Sequence, residues 1–368
     1  MTTIGIIAEY NPFHNGHLLH INKIKEKYPD SIIILILNGY FLERGEISIL
    51  TKENKTKIAL NNNIDIVLEL PTLFGTQSAD TFANASVSIL NNFKVDKIIF
   101  GSESNNINIL YDIAKKQLSN EFNIDVKKYL SEGINYPTAL AKSLNTNFKF
   151  NPNDLLGISY IKASLINNYN IQFETIKRTN SYHDLVSNDL VISASNIREK
   201  INNNIDIKKY VPDITYKKII KPNYITYFKL LKSKILTDNN LNEYLDVDEG
   251  IEYRLKKFIT KSNTLDEFIK YIKTKRYTYN KLNRMFIHIL LGIKKSDAQV
   301  EIDYIKILGF NKNGRKYIQS IKDDLKITSK INKDSIIYNY ELIASQLYDL
   351  INNTDTFKYE IKNKPESI

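Results

Sequence analysis

The sequence of 368 residues contains no cysteine. Disulfide bonds, thiolate metal sites and a cysteine nucleophile are therefore excluded, and this composition suits a reducing compartment. The chain also lacks a long hydrophobic run, because apolar stretches such as Ile32–Leu37 are far shorter than the ~20 residues of a membrane-spanning helix. Its N-terminus shows neither a basic n-region nor a small-residue cleavage site. We therefore expect a cytoplasmic protein that does not associate with membranes.

An excess of positive charge is missing from the first part of the chain. Residues 1–200 contain 20 Lys and Arg against 20 Asp and Glu, whereas residues 201–368 contain 31 against 21. The formal net charge of +10 therefore arises entirely after residue 200. This asymmetry predicts a catalytic domain over 1–200 and a basic region over 201–368 that binds a polyanion. Lysines spread over solvated helix faces are the alternative explanation.

Short apolar runs alternate with segments of helical periodicity over the first 200 residues. Strands are expected in the apolar run that begins near Gly5 and breaks at Asn11-Pro12, and at Ile32–Leu37, Ile64–Leu70, Lys97–Phe100 and Ile171–Ile176. Helices are expected at Leu18–Tyr28, Thr51–Leu60, Ala79–Phe93 and Leu155–Ile166, with Thr51, Ser78 and either Asn153 or Asp154 as N-caps. The alternation predicts an α/β fold, in which a Rossmann-like parallel sheet is followed by a mainly helical C-terminal domain.

The bend between the first strand and the first helix carries a pair of histidines. Residues 5–20 read GIIAEYNPFHNGHLLH, with Gly16 between His14 and His17. Ligands bind open α/β sheets at the carboxyl ends of the strands, where a helix N-terminus offers unpaired N–H groups to an anion. Imidazoles can add hydrogen bonds to phosphate oxygens, so we expect a phosphate site here. A lone histidine would more often be structural, but two of the five in the chain lie at this bend.

Three further segments are expected to bring polar groups to the same edge of the sheet. Arg178 follows the fifth predicted strand, and the string ISASNIR at 192–198 starts a helix that carries Ser195 and Arg198. Hydroxyls in a first helical turn followed by an arginine form a second phosphate cradle. Alone, this segment would be a capped helix with a surface arginine. The cluster 43–46 after the second strand adds Arg44, which can bind phosphate or a carboxylate.

Two of these strings resemble the motifs of a known superfamily. HNGH at 14–17 and ISASNIR at 192–198 are similar to the HxGH and ISxxxIR motifs of the nucleotidyltransferase α/β phosphodiesterases. The resemblance implies that His14 and His17 are the catalytic histidines, which hold the triphosphate of ATP while a nucleophile attacks the α-phosphorus. Such catalysis depends mainly on positioning and on stabilisation of charge.

Longer strings along almost the whole chain resemble the bacterial tRNA(Met) cytidine acetate ligases. They are EYNPFHNGH at 9–17, GYFLERGE at 39–46, FGSE at 100–103, NPNDLLG at 151–157, IKR at 176–178, TKRYTYNKLNR at 274–284 and LGFNKNGRKY at 308–317. The resemblance implies an enzyme that activates acetate with ATP as acetyl-adenylate. It then acetylates N4 of the wobble cytidine of elongator tRNA(Met), which gives N4-acetylcytidine.

The expected ATP contacts come from the first strand, the bend and the first helix, and from separate later loops. The set is Ile7, Ala8, Glu9, Tyr10, Asn11, Pro12, Phe13, His14, Asn15, Gly16, His17, Leu18, Leu19, His20, Gly101, Asn153, Arg178, Ser195 and Arg198. Mg²⁺ is expected to accompany the triphosphate, and no protein metal ligand is assigned, because hard cations at such sites keep few protein ligands. Glu9 and Glu46 are the candidates for the base that deprotonates the cytidine amine, although either could instead orient an arginine.

A basic segment in the second half is the predicted RNA-binding element. Residues 270–295 contain eight Lys and Arg and no Asp or Glu, interleaved with aromatic residues. Basic side chains neutralise phosphates, and aromatic rings stack on unpaired bases. We expect Lys275, Arg276, Lys281 and Arg284 to bind RNA. The apolar residues Leu282, Met285, Phe286 and Ile289 instead have the spacing of a buried helix face, and both interpretations can hold for different faces.

The expected partners are elongator tRNA(Met) and acetate, and nothing in the sequence calls for an obligate protein partner. A small-molecule adenylyltransferase of the same superfamily is the main alternative, although its substrate would not need a basic surface. A non-catalytic RNA-binding protein that retains an inert nucleotide fold is the second alternative.

Overall fold

A seven-stranded sheet lies at the centre of the structure, which is a computed structural model. The structure describes residues 1–134, 136–144, 148, 150–178, 190–362 and 364–368. The strands are β1 Thr3–Ala8, β2 Ile32–Asn38, β3 Ile66–Leu70, β4 Lys97–Ser102, β5 Gln172–Lys177, β6 Ile307–Phe310 and β7 Glu366–Ser367. They lie in the order β5-β4-β1-β2-β3-β6-β7. The five N-terminal strands are parallel, as predicted, and β6 pairs antiparallel with β3.

Helices cover both faces of the sheet and form most of the C-terminal region. Up to residue 202 they are α1 Asn15–Lys27, α2 Lys52–Asn61, α3 Thr72–Gly75, α4 Ala79–Asn92, α5 Ile107–Gln117, α6 Asn120–Ser131, α7 Tyr136–Leu144, α8 Pro152–Ile166 and α9 Ala194–Asn202. Beyond it they are α10 Asp213–Tyr216, α11 Tyr224–Thr237, α12 Ile251–Ile259, α13 Leu265–Ile272, α14 Tyr279–Leu291, α15 Lys312–Ile321, α16 Ile336–Asn352 and α17 Phe357–Lys362. The predicted fold class is confirmed.

The strands form because their apolar runs are buried on both faces. Every residue of β2 and β3 is buried, which is typical of parallel strands covered by helices on each side. Thr51 and Ser78 cap α2 and α4 as predicted, since each side-chain oxygen accepts a backbone N–H of the first helical turn. Because the five N-terminal strands are parallel, their carboxyl ends lie at one edge of the sheet.

One predicted helix cap is wrong. Helix α8 begins at Pro152 with Asn151 as its N-cap, so Asn153 and Asp154 lie inside the first turn. Asn153 donates to Glu103 from its side-chain amide, and the buried Asp154 carboxylate accepts the Ser102 hydroxyl. These long-range contacts tie α8 to the end of β4, and they satisfy the two side chains better than a local cap would.

The C-terminal region returns to the sheet, which the sequence analysis does not anticipate. Strand β6 extends the sheet beyond β3, and β7 pairs with β6. The proposed division of the chain at residue 200 stays a prediction, but the sheet itself contains residues from both sides of it. Among the residues that the structure describes, no helix is long and apolar enough to cross a membrane.

A buried cluster of charges joins the C-terminal helices to the sheet. Lys52 of α2 is fully buried, and its ammonium group lies 2.7 Å from carboxylate oxygens of both Glu341 of α16 and Glu360 of α17. It also pairs with Glu69 of β3, while Lys306 pairs with Glu360. The ion pairs of Lys52 with Glu341 and Glu360 therefore link the C-terminal helices to the N-terminal α/β region.

Candidate active site

A cleft of about 260 Å³ lies where the carboxyl ends of β1, β4 and β5 meet the first turns of α1 and α9. This is the edge of the sheet at which the sequence predicts ligand binding. Its wall includes polar residues from the bend after β1, the loop after β2 and the segments that follow β4 and β5. The predicted phosphate-binding groups therefore converge on one cavity.

His14 and His17 are held by the start of helix α1. His14 is the N-cap of α1, and its Nδ1 accepts the backbone N–H of Gly16 at 3.0 Å. The Nδ1 of His17 accepts the backbone N–H of His14 at 3.2 Å, and the two rings stack with their centroids 3.9 Å apart. Because each Nδ1 is an acceptor, each neutral ring carries its proton on Nε2. The capping hydrogen bonds thus use Nδ1 of each ring and leave Nε2–H as the donor of both histidines, which line the cleft.

Gly16 is required by the approach of the first histidine. A Cβ at this position would lie 2.7 Å from Cε1 and 2.9 Å from Nδ1 of His14. Atoms this close collide, so any side chain at residue 16 would displace the imidazole that caps the helix. The HxGH spacing is therefore explained by local packing as well as by the chemistry of the cleft.

The histidines of the cleft are neutral. Burial, supported by the charges of Arg178 and Arg198, lowers the pKa of His14 to about 3. Burial likewise lowers the pKa of His20 to about 4, and the pKa of His17 lies well below its usual value. The buried Nε2 of His20 has no hydrogen-bond partner among the described residues. Near neutral pH the imidazoles therefore offer uncharged donors, and the positive charge of the site comes from arginines.

Two arginines flank the histidines in different ways. Arg178 follows β5, beside Gly101, and its Nε lies 3.8 Å from a Glu103 carboxylate oxygen. Arg198 of α9 donates to the backbone oxygen of Asn11 at 2.8 Å and pairs with Glu46 at 2.7 Å. Arg198 therefore links α9 to the bend and to the loop after β2, whereas Arg178 has the looser ion pair.

The start of α9 forms the second polar wall. Ser193 is the N-cap, and its hydroxyl accepts the backbone N–H of Asn196 at 3.2 Å. The Ser195 hydroxyl lies 2.9 Å from that of Ser193, and both residues line the cleft. This end of the helix presents hydroxyls and the positive end of the helix dipole to the cavity, as an anion site requires.

Most of the predicted ATP-binding residues line this cleft. They are Ile7, Ala8, Glu9, Tyr10, Asn11, His14, Gly16, His17, Leu19, His20, Gly101, Asn153, Arg178, Ser195 and Arg198. Four predicted residues, Pro12, Phe13, Asn15 and Leu18, are absent from its wall. Phe13 is buried in the hydrophobic core, and the Asn15 amide donates to the backbone oxygens of Leu190 and Lys209. Contacts of these four with ATP stay predictions.

One wall of the cleft is apolar and was not predicted from the sequence. Phe82, Phe100, Leu156 and Tyr160 line the cavity, and the three aromatic residues among them are buried. They come from α4, β4 and α8, so no local pattern distinguishes them from ordinary core residues. Such a wall suits the flat, apolar face of a nucleotide base.

The loop after β2 contributes carboxylates whose environments differ. Burial and the neighbouring Glu9 raise the pKa of Glu43 to about 7. Glu9 accepts the backbone N–H of Glu43 at 2.7 Å and the side-chain amide of Asn38 at 3.1 Å. Glu46 is the ion-pair partner of Arg198. The loop is thus held to the bend after β1 by the hydrogen bond of Glu43 to Glu9, and to α9 by the ion pair of Glu46 with Arg198.

The four predicted RNA-binding residues lie in two environments. Lys275 and Arg276 line a separate, shallow depression of about 410 Å³, and the Arg276 side chain is 72% exposed. The ammonium group of Lys281 lies 4.6 Å from the ring centroid of Tyr277. Arg284 is only 15% exposed and pairs with Glu43 of the cleft at 3.3 Å. The structure thus does not place all four on one open surface.

Comparison with known protein families gives a match along almost the whole chain. The model of a family described as HIGH Nucleotidyl Transferase matches residues 1–363. A curated Fusobacterium nucleatum protein named tRNA(Met) cytidine acetate ligase is 36% identical over 394 aligned positions, which cover 98% of each chain. A protein of the same name from Geobacillus sp. is 39% identical over 381 positions, which cover 95% of each chain.

Solved structures have the same fold. The crystal structure of Thermotoga maritima TmcAL in its apo form matches with a TM-score of 0.89 and 24% identity, over 100% of both chains. A second form of that protein, bound with alpha-thio ATP, matches with a TM-score of 0.85 at the same identity and coverage. The arrangement of the sheet and its helices is therefore shared with that protein.

Proposed function

The chain belongs to the tRNA(Met) cytidine acetate ligase family, within the HIGH nucleotidyl transferases, and on that premise we propose that it activates acetate as acetyl-AMP and acetylates N4 of the wobble cytidine of elongator tRNA(Met). It is an ATP-dependent enzyme, and the product of the proposed reaction is N4-acetylcytidine. The observation that carries the proposal is the cleft itself, in which two neutral imidazoles, two arginines and the first turn of α9 converge.

The first proposed step takes place at the histidines. A carboxylate oxygen of acetate attacks the α-phosphorus of ATP, the bond to the bridging oxygen breaks, and pyrophosphate leaves. Acetate is already ionised near neutral pH, so this step needs no general base. The Nε2–H donors of His14 and His17 offset the charge that develops on the phosphoryl oxygens, together with Arg178 and Arg198. Fixed, uncharged donors in a buried site are suited to this work, because they need little reorganisation during the reaction.

The second proposed step transfers the acetyl group. The cytidine N4 attacks the acetyl carbonyl carbon, the bond to AMP breaks, and the proton of the amine passes to a carboxylate of the cleft, for which Glu9 and Glu46 are the candidates. Of the two carboxylates considered for this proton, Glu46 is held by Arg198 at 2.7 Å and so serves to orient that arginine. Glu9 lines the cleft and accepts two hydrogen bonds on one oxygen, which keeps it in place beside the bend.

The described part of the cleft does not provide a cage for Mg²⁺. Within the ranges that the structure describes, the one group of three carboxylates close enough to share an ion is Glu69, Glu341 and Glu360. The ammonium group of Lys52 already lies among these three, away from the cleft. Mg²⁺ that accompanies ATP would therefore be held chiefly by the phosphates and water, as is common for this ion, and we assign it no step.

The RNA partner is proposed to bind the surface around Lys275, Arg276 and Lys281. Arg276 extends into solvent, and Arg254 and Tyr277 line the same depression. Basic groups at such a depression neutralise phosphates, and exposed rings such as Tyr279, which is 53% exposed, can stack on unpaired bases. A tRNA in the cytoplasm presents both features in its anticodon loop.

The proposal is tested by incubating the protein with ATP, labelled acetate and a tRNA pool, followed by nucleoside analysis. We expect label in N4-acetylcytidine from elongator tRNA(Met), and none when ATP is replaced by an analogue that cannot be cleaved between its α- and β-phosphates. Transfer of the AMP moiety of ATP to a small phosphorylated molecule, without tRNA and without incorporation of acetate, would instead indicate a small-molecule adenylyltransferase. The absence of acetate-dependent pyrophosphate release from ATP would indicate a non-catalytic RNA-binding protein.

A further inference from the structure

The loop that follows β2 lies directly on the helix that carries the predicted RNA-binding residues. Gly45 has a φ of +70°, and a Cβ there would lie 2.3 Å from both the backbone nitrogen of Arg284 and the carbonyl carbon of Asn283. Only glycine permits this approach of two backbones. The 43–46 loop and the middle of α14 are therefore in direct contact, although about 240 residues of sequence separate them.

Arg284 adds an ion pair to this backbone contact. Its guanidinium lies 3.3 Å from a carboxylate oxygen of Glu43 and 3.7 Å from one of Asp246. Asp246 also lies 3.3 Å from Nδ1 of the buried His288, which faces Thr76 on its other side. Burial by itself would raise the pKa of Asp246, but His288 and Arg284 outweigh it and hold that pKa below its usual value. The guanidinium thus lies between two carboxylates.

This environment is unsuited to binding a phosphate. The Arg284 and Glu43 side chains are only 15% and 16% exposed. If the guanidinium left to contact RNA, the poorly solvated Glu43 carboxyl would lose its ion-pair partner and would have to stay charged or take up a proton, and either costs free energy. Arg276, on the same basic segment, is 72% exposed and pairs only with the exposed Glu249 among the described residues. The two arginines therefore belong to different kinds of site.

Backbone hydrogen bonds within the 43–46 loop connect Glu43 to other residues of the cleft. The backbone N–H of Gly45 donates to the oxygen of Leu42 at 2.8 Å, and the N–H of Leu42 donates to the oxygen of Glu46 at 3.0 Å. These bonds close the loop into a tight turn. Glu43, Arg44 and Glu46 all line the cleft, and Glu46 holds Arg198. A displacement of Glu43 would therefore also move the partner of a phosphate-binding arginine.

We infer that Arg284 is a positioning residue of the nucleotide cleft, which acts by docking the 43–46 loop onto α14, and that it is not an RNA contact. This inference rests on the proposed function, because it assigns the docked loop to the site of adenylate formation. It differs from the sequence-based prediction that groups Arg284 with Lys275, Arg276 and Lys281 as RNA contacts. It also means that the helix behind the RNA surface supports the chemistry of the cleft.

The test is a double-mutant cycle with two readouts. Arg284→Ala, Glu43→Gln and the double variant are assayed for acetate-dependent exchange of pyrophosphate into ATP without tRNA, and for tRNA affinity over a range of salt concentrations. Lys358→Ala, an exposed change on α17, is the matched control for loss of a positive charge. Arg284→Lys tests rescue, and thermal unfolding of each variant shows whether it is folded.

We expect each single change to slow the exchange reaction about tenfold. Because the two residues act as one unit, the double variant should be at most about twofold slower than the slower of the two single variants. Arg284→Lys should recover part of the rate. The salt dependence of tRNA binding should stay that of the wild type in Arg284→Ala, whereas Arg276→Ala should flatten it.

Fully additive effects in the cycle, or a flattened salt dependence in Arg284→Ala, would overturn the assignment. If Arg284→Ala does not fold, the same comparison rests on Arg284→Lys and Glu43→Gln. A failure of the proposed function would look different, because the wild-type protein itself would then show no acetate-dependent exchange.

Discussion

Substitutions of His17 can separate its role in the helix cap from its role at the phosphate. The Nδ1 of His17 accepts the backbone N–H of His14, and Nε2 is the remaining donor at the cleft. An asparagine side chain places an oxygen close to the position of Nδ1, and a glutamine amide can reach close to that of Nε2. His17→Asn therefore retains the acceptor of the helix cap and removes the donor at the cleft. His17→Gln retains a donor at the cleft and removes the acceptor of the helix cap.

The structure gives the expected size of each effect. Removal of one donor from an oxyanion-stabilising site slows the chemical step by roughly 10²–10³, which corresponds to about 2.7–4 kcal/mol. Loss of a capping hydrogen bond lowers the free energy of unfolding by about 1 kcal/mol. We therefore expect His17→Asn to be as stable as the wild type but to lose about 10²–10³ in activity. We expect His17→Gln to be the less stable but the more active of the two.

The assay is acetate-dependent pyrophosphate exchange into ATP, with urea unfolding measured on the same samples. The affinity for tRNA should change by less than a few-fold in both variants, because His17 lines the cleft and not the depression of Lys275 and Arg276. Wild-type exchange in His17→Asn would show that the Nε2 donor of His17 takes no part in adenylate formation. Equal losses in both variants, together with equal losses of stability, would show that the residue acts through the cap alone.

Three further predictions concern stability and RNA binding. Lys52→Met leaves buried carboxylates without their ammonium partner, so urea unfolding should show a free energy of unfolding that is lower by about 3–5 kcal/mol. The control Lys57→Met, at a half-exposed position of the same helix, should change it by less than about 0.5 kcal/mol. His14 and His20 have pKa values of about 3 and 4, below the ~6.5 of an unfolded chain. Below pH 6.5 the unfolded chain therefore binds more protons than the folded chain. Each of these histidines should then lower the free energy of unfolding by up to ~1.4 kcal/mol per pH unit, until the pH reaches its folded pKa. Calorimetry of His20→Gln should show a weaker loss of stability with falling pH, and an unchanged pH dependence would contradict a neutral, buried His20. Arg276→Ala should weaken tRNA binding and reduce the slope of log affinity against log salt by about one, and an unchanged slope would place the RNA surface elsewhere.

The sequence predicts those parts of the fold that depend on local patterns. The five parallel strands and their helices follow from apolar runs such as Ile32–Leu37 and from caps such as Thr51, because burial and capping are encoded within a few residues. The bend at His14 and His17 is also local, since the strand, the glycine and the helix start are adjacent in the chain. These features could therefore be read without knowledge of tertiary contacts.

Other features depend on contacts between distant segments. Strand β6 has only four residues, and its pairing with β3 leaves no mark in the sequence around it. Asp154 looks like a helix cap, but the Ser102 hydroxyl lies within its reach in the folded chain. Arg284 belongs to a basic segment by sequence, yet Glu43 faces it across the junction with α14. Local composition cannot distinguish a solvated cation from one that pairs with a remote carboxylate.

The most direct test of the chemistry follows the oxygen atoms of acetate. If a carboxylate oxygen attacks the α-phosphorus in the cleft, acetate labelled with heavy oxygen must leave one labelled oxygen in the AMP that is released on transfer to tRNA. Mass spectrometry of AMP and inorganic phosphate after the complete reaction measures this. We expect one heavy oxygen in AMP and none in inorganic phosphate, while the second acetate oxygen stays in the acetyl group on the RNA. Heavy oxygen in inorganic phosphate, with ADP released in place of AMP, would show that acetate is activated at the γ-phosphate and would contradict an acetyl-adenylate formed at His14 and His17.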